Sequence, residues 1–164
     1  MIYLGVDPGM KGALAWIIGP QDVVILEPMP VFPGPRPEFD LARIRDSLSH
    51  AASSEGLFVA VERSQPLPRT MGGAISNFHR GQARGWSWLL VGMSISHVLV
   101  MPRVWQREMH EGTSGVEPKG RSLQAAMRLF PRANLRRSLM AKKPDVGLAE
   151  ALHIAEWGRR HHRP

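Results

Sequence analysis

The 164-residue chain has no cysteine, which excludes a disulfide framework and any thiolate metal site and fits a reducing compartment. No apolar run approaches the roughly 20 residues that a membrane span requires. The start, MIYLGVD, has no basic stretch ahead of an apolar one, as a secretory signal would. A soluble, intracellular, cytoplasmic protein without a membrane partner is the expectation. No internal repeat is visible, and the length suits one domain, 1–164, able to bury roughly two-thirds of its unfolded surface.

Acidic residues are scarce where basic ones are abundant. Residues 1–62 carry 4 basic and 8 acidic side chains, whereas residues 63–164 carry 17 basic and 6 acidic, for a net charge of +7 and a pI near 11.0. A compact domain this basic suits contact with phosphates. Seventeen of the 21 basic residues are arginine, the residue suited to planar, bidentate phosphate contacts.

The opening stretch MIYLGVDPGMKGALAWII reads as a hairpin: a buried strand over 2–6, a tight turn at Asp7-Pro8-Gly9, and a returning strand over 12–18. Residues 23–28 give a third strand. The proline-rich PMPVFPGPRPEF reads as a surface loop. Asp40 then starts a helix with Leu41, Ile44, Leu48 and Ala51 at helical spacing, and LFVAVE (57–62) is the next buried strand. A glycine-broken helical stretch follows. SHVLVMP is a fifth strand, and three helices complete the chain: a short one carrying Trp105, RSLQAAMRLF, and one from about Asp145 to Arg160. The order indicates an α/β fold whose sheet has antiparallel and parallel parts.

Two strands end on carboxylates, Asp7 and Glu62, and in an open α/β sheet ligands gather at such carboxyl ends. On the last helix, Val146, Glu150, Ile154 and Trp157 form one stripe and Leu148, Leu152 and Ala155 another, so Glu150 lies at the edge of the apolar arc. Three of these acids also have an ordinary explanation. Asp-Pro-Gly is good turn chemistry, Glu150 can be a solvated charge, and Asp145 in KPDVG is a suitable N-cap. Brought together, such carboxylates repel unless a cation joins them. Hard oxygen donors without cysteine favour Mg²⁺ or Mn²⁺, and a metal-carboxylate cluster in a basic protein suggests phosphodiester chemistry. Arg63, Arg69, Arg80 and Arg84 flank the Glu62 strand end as candidate phosphate contacts. Trp105 and Trp157 read as core, and His153 as outward-facing.

In LGVDPGMKGA, Val61-Glu62, MPRVWQ, KGRSLQAAMRLFP and PDVGLAEALHIAEW, taken in order, the chain resembles the RuvC-type Holliday-junction resolvases, especially their phage-borne branch. The resemblance implies a ribonuclease H-like fold, a five-stranded mixed sheet flanked by helices. It also implies a homodimer that nicks four-way DNA junctions in pairs with divalent metal, in a bacterial cell or phage-infected host. Asp7, Glu62 and Glu150 match the family's acids. The fourth acid's place is Gly147, with Asp145 the nearest carboxylate, so two Mg²⁺ or Mn²⁺ ions on Asp7, Glu62, Asp145 and Glu150 are expected. Lys119 fits a phosphate-contacting position. Phe78 could stack on an unpaired base or belong to core or interface.

Two symmetric cuts call for a two-fold dimer, and the segment from Ile75 to Val91, with Phe78, Trp86, Leu89 and Leu90, is the interface the sequence suggests, unless the same residues simply cover the sheet. Other readings are a different ribonuclease H-like nuclease acting on branched DNA or hybrid duplex, and a catalytically silent junction-binding protein. An actin-like nucleotide-binding protein is disfavoured by length and by the lack of a second phosphate loop.

Overall fold

The computed structural model describes residues 1–19, 23–35, 37–54, 56–63, 73–114 and 117–162, and the side chains of 73–80 and 118 lie outside that description. Strands β1 (Ile2–Asp7), β2 (Ala13–Ile18) and β3 (Val23–Pro28) form an antiparallel meander. The proline-rich segment, expected as a plain loop, contains a minimal antiparallel pair, β4 (Val31–Phe32) and β5 (Glu38–Phe39). Helix α1 (Leu41–Ser54) follows, and Asp40 caps it by accepting the Arg43 backbone N–H at 3.0 Å. Then come β6 (Leu57–Glu62), α2 (Gly73–Gly92), β7 (Ser96–Val100), α3 (Pro102–Met109), α4 (Pro118–Leu129) and α5 (Val146–His161).

The main sheet runs β3-β2-β1-β6-β7, with β1, β6 and β7 mutually parallel. Period-two alternation divides its side chains between two cores. Ile2, Leu4, Val6, Leu57, Val59 and Val61 face α1 and α2, joining Ile44, Leu48, Trp86 and Leu90. Tyr3, Phe58 and Ala60 face the other way, toward Leu148, Leu152, Ala155 and Ile154 of α5 and Trp105 and Met109 of α3. By the same alternation Asp7 and Glu62 belong to the α5 face. The β1–β6 register ends at Val6 against Val61, so the two acids follow on adjacent strands.

Helix α5 lies directly on β1 because Gly5 has no side chain. A Cβ there would stand 2.1 Å from the Ala151 carbonyl oxygen and 2.3 Å from the Ala155 nitrogen. Alanine at 151 and 155 completes the close approach, and both stripes read from the sequence are packed. The helix is consequently buried almost all round, with His153 and Glu156 among its buried residues. Gly12 is required for a similar reason in the first turn, where a Cβ would meet the Asp7 carbonyl oxygen at 2.1 Å.

Two expectations need correction. Trp86 and Leu90, assigned to a dimer interface, are buried against the sheet, and Leu89 packs on the same core. The outer face of α2 instead exposes Trp88 and Val91. His153, expected to face outward, is fully buried, because α3 and α4 cover the side of α5 that a helix lying on the sheet alone would leave open. Among the described residues no helix is long and apolar enough to cross a membrane.

The Gly5→Ala substitution tests the packing of α5. Forcing the helix off β1 should cost about 3 kcal/mol, read as a fall of several degrees in melting temperature, whereas unchanged stability would contradict the described contact.

Candidate metal centre

The four predicted acids are electrostatically linked, with Asp7, Glu62 and Glu150 coupled most closely and Asp145 adding a smaller push on Glu150. Glu62 closes β6 and is pushed up to about 7, chiefly by burial and then by the negative charge of Asp7, with Glu150 adding to the shift. Glu150, early in α5, is likewise raised to about 7 by burial and by Asp7. Lys119, exposed at the start of α4, opposes the rise, so it stands within electrostatic reach of the cluster.

Each glutamate has a donor of its own. Trp105 Nε1 donates to Glu62 Oε2 at 3.0 Å, and Ser122 Oγ donates to Glu150 Oε1 at 3.3 Å. Ser122 is held in turn, with its Oγ 3.2 Å from His110 Nε2 and its carbonyl accepting His153 Nε2–H at 2.9 Å. Burial lowers His153 to about 4, so it is a neutral ring serving as a donor. It stacks on Trp105 with ring centroids 5.9 Å apart, and His110 meets both rings edge-on. Sequence reasoning takes Trp105 as plain core and misses Ser122. The tryptophan's burial is legible, but its N–H partner, 43 residues away, is not. A buried indole N–H needs an acceptor, and that requirement is the available signal.

Asp145, whose charge adds only a small push on Glu150, differs from the two glutamates in being well supplied with donors. It caps α5 by accepting the Leu148 backbone N–H at 3.1 Å, and it receives Arg137 in a two-pronged pair, Nε to Oδ2 at 2.8 Å and Nη2 to Oδ1 at 3.0 Å. Burial pushes its carboxyl up, but these donors outweigh burial and hold it below the usual range. The N-cap reading left open by the sequence is the one the structure contains. Arg137 also donates from Nη2 to the carbonyl oxygen of Lys11 at 2.6 Å, which ties the start of α5 to the turn after Asp7.

The donor set suits a hard cation, since carboxylates crowded by burial and mutual repulsion gain from positive charge. Among the described residues no three acidic or imidazole side chains stand close enough to enclose one ion; Glu62 and Glu150 are each engaged by a separate donor. Arg63 and Arg84 are exposed, Arg63 directly beyond Glu62 with its backbone N–H bonded to the Val100 carbonyl at 2.7 Å. Arg69 and the side chains of Phe78 and Arg80 lie outside the described residues.

The raised pKa values set a sign for stability. Between about 4.5 and about 7 the unfolded chain has released protons that folded Glu62 and Glu150 retain, so stability falls as pH rises through that window. His153 acts oppositely, losing stability as pH falls from its ordinary value of 6.5 toward about 4, and it is common to any carboxylate variant. Metal-free wild-type protein should therefore lose more melting temperature than Glu62→Gln/Glu150→Gln on going from about pH 5 to 8. Parallel melting curves would remove the electrostatic coupling.

No protein-family model and no curated protein matches the chain. Solved structures do. The chain is similar to T. thermophilus RuvC in complex with Holliday junction substrate, at 18% identity and a TM-score of 0.55, over 94% of this chain and 90% of that one. It is also similar to the Thermus thermophilus RuvC structure, at 16% identity and a TM-score of 0.54, over 98% of this chain and 96% of that one. With its five-stranded mixed sheet flanked by helices, the chain has the ribonuclease H-like fold of these RuvC structures.

Proposed function

We propose that the chain is a divalent-metal-dependent endonuclease that resolves four-way DNA junctions by paired nicks, acting as a homodimer. The observation that carries this reading is the coupling of Asp7, Glu62 and Glu150 at one end of the sheet, on the fold of RuvC structures of which one is in complex with Holliday junction substrate. Asp7, Glu62 and Glu150 would hold Mg²⁺ or Mn²⁺, which when bound supplies charge neutralisation at the scissile phosphate and an activated water. Trp105 and Ser122 orient the two glutamates. Lys119 and Arg63, exposed beside the cluster, meet the phosphates, with Arg84, Arg69, Arg80 and Phe78 as further DNA contacts. Asp145 fixes the start of the helix that carries Glu150 and is at most a secondary ligand of the metal.

The test is nicking of a four-way junction, a flap and an RNA–DNA hybrid with Mg²⁺, Mn²⁺ or EDTA. Asp7→Asn, Glu62→Gln and Glu150→Gln should abolish junction cleavage while leaving binding largely intact. Asp145→Asn keeps an N-cap oxygen and loses the ionic pair with Arg137, so it should retain residual activity. Wild-type rates from Glu62→Gln, or preference for the hybrid, would defeat the reading.

Assembly is checked by light scattering. Two symmetry-related strands exceed the reach of one 18.3 kDa domain with one carboxylate cluster. Among the described residues, Trp88 and Val91 are exposed apolar side chains on the outer face of α2 that suit a two-fold contact. Two chains per junction are expected, and one chain per junction under conditions of paired cleavage would refute the dimer.

A further inference from the structure

The segment joining α4 to α5 holds the most exposed large apolar side chains among the described residues: Leu139 is 92% exposed and Met140 90%. Such exposure usually belongs to chain that lacks a fixed base, but here both ends are anchored. Leu135 is buried in the core under α5, and its carbonyl accepts the Asp145 N–H at 2.7 Å, closing an eleven-residue loop over 135–145. At the tip, the Ala141 N–H donates to the Ser138 carbonyl at 3.1 Å. Arg137 locks the base to Asp145 and, through the Lys11 carbonyl, to the turn that follows Asp7. The two apolar side chains are thus carried on a braced projection attached to the same edge of the fold as the carboxylates.

Charge identifies the occupant. Arg136, Lys142 and Lys143 flank the tip and are exposed, and no acidic residue occurs between Glu117 and Asp145. A cationic rim around a bare apolar point matches a polyanion whose own apolar faces can be separated, namely stacked base pairs between phosphate backbones. Proteins that kink DNA insert leucine or methionine between base steps in this way while basic residues hold the phosphates. We infer that the 135–145 loop is a DNA-opening wedge: Leu139 and Met140 enter a base step near the crossover, and Arg136, Lys142 and Lys143 grip the adjoining phosphates. Base steps at a four-way crossover are the least constrained in the molecule, so unstacking costs least there. The inference rests on the junction-binding part of the proposed function and is independent of metal.

The experiment uses the full-length protein in EDTA with a four-way junction carrying 2-aminopurine beside the crossover. Wild-type binding should raise the fluorescence through unstacking. Leu139→Ser/Met140→Ser should lose most of that rise and bind the junction about tenfold more weakly, whereas the apolar exchange Leu139→Met/Met140→Leu should keep both. Arg136→Ala/Lys142→Ala/Lys143→Ala should flatten the salt dependence of binding by about 0.9 in log–log slope for each phosphate that is no longer neutralised. The serine changes lie at solvent-facing positions, and a wild-type melting temperature verifies the fold. Wild-type fluorescence and affinity from the serine double variant would overturn the wedge while leaving the nuclease reading standing. So would tip-dependent binding to anionic phosphatidylserine vesicles with junction binding unaltered. Absence of junction binding by the wild type would overturn both.

Discussion

The arrangement depends on one close approach, the backbone of α5 laid against β1 at Gly5. Two main chains can come this near only where no Cβ intervenes, and Ala151 and Ala155 keep the helix side equally bare. The consequence is positional. Glu150 directly precedes the contact residue Ala151, while Asp7 lies two residues beyond Gly5, on the same side of β1. Packing brings the three acids into one another's field. A larger residue at position 5 would separate them without touching any of the three.

That gathering is unfavourable by itself. Burial and repulsion lift two glutamates to about 7, and the fold stabilises their ionised forms only in part, through the Trp105 indole and the Ser122 hydroxyl. Asp145 contrasts with them in the same neighbourhood. A guanidinium and a backbone N–H satisfy it, and its carboxyl stays readily ionised. Two carboxylates five residues apart at the start of one helix therefore differ in kind: Asp145 is neutralised internally and serves the architecture, while Glu150 is raised by burial and repulsion.

Much of this is legible in the residues. Strand ends at Asp7 and Glu62, the helix from Asp145, the Asp40 cap and the two apolar stripes of α5 follow from local period and turn chemistry, because each is decided within a few residues. What escapes are contacts fixed by tertiary placement. Trp86 and Leu90 read as surplus to one sheet face, yet α1 and α2 share that face and leave room for both. His153 reads as outward because helical phase alone gives no sign of α3 and α4 on its other side. The bonds of Trp105 to Glu62 and of Ser122 to Glu150 span 43 and 28 residues, and no local pattern encodes them. The exposed tip at Leu139 and Met140 has no local signal either, since the sequence alone does not say which way two adjacent apolar residues of a loop face.

The distribution of the three acids along the chain has a consequence for synthesis. Asp7 is made before Glu62, and Glu62 long before Glu150. The latch from Arg137 to the Lys11 carbonyl joins positions 126 residues apart. A growing chain emerging from the ribosome can pair β1, β2, β3 and β6 early, yet Asp7 and Glu62 lack Glu150 beside them until α5 is released and docks. Contacts so distant in sequence close long loops, and the gathering of the three acids is completed in the same step that docks α5. A partly made chain thus carries a basic surface that is still growing while its acids are not yet gathered.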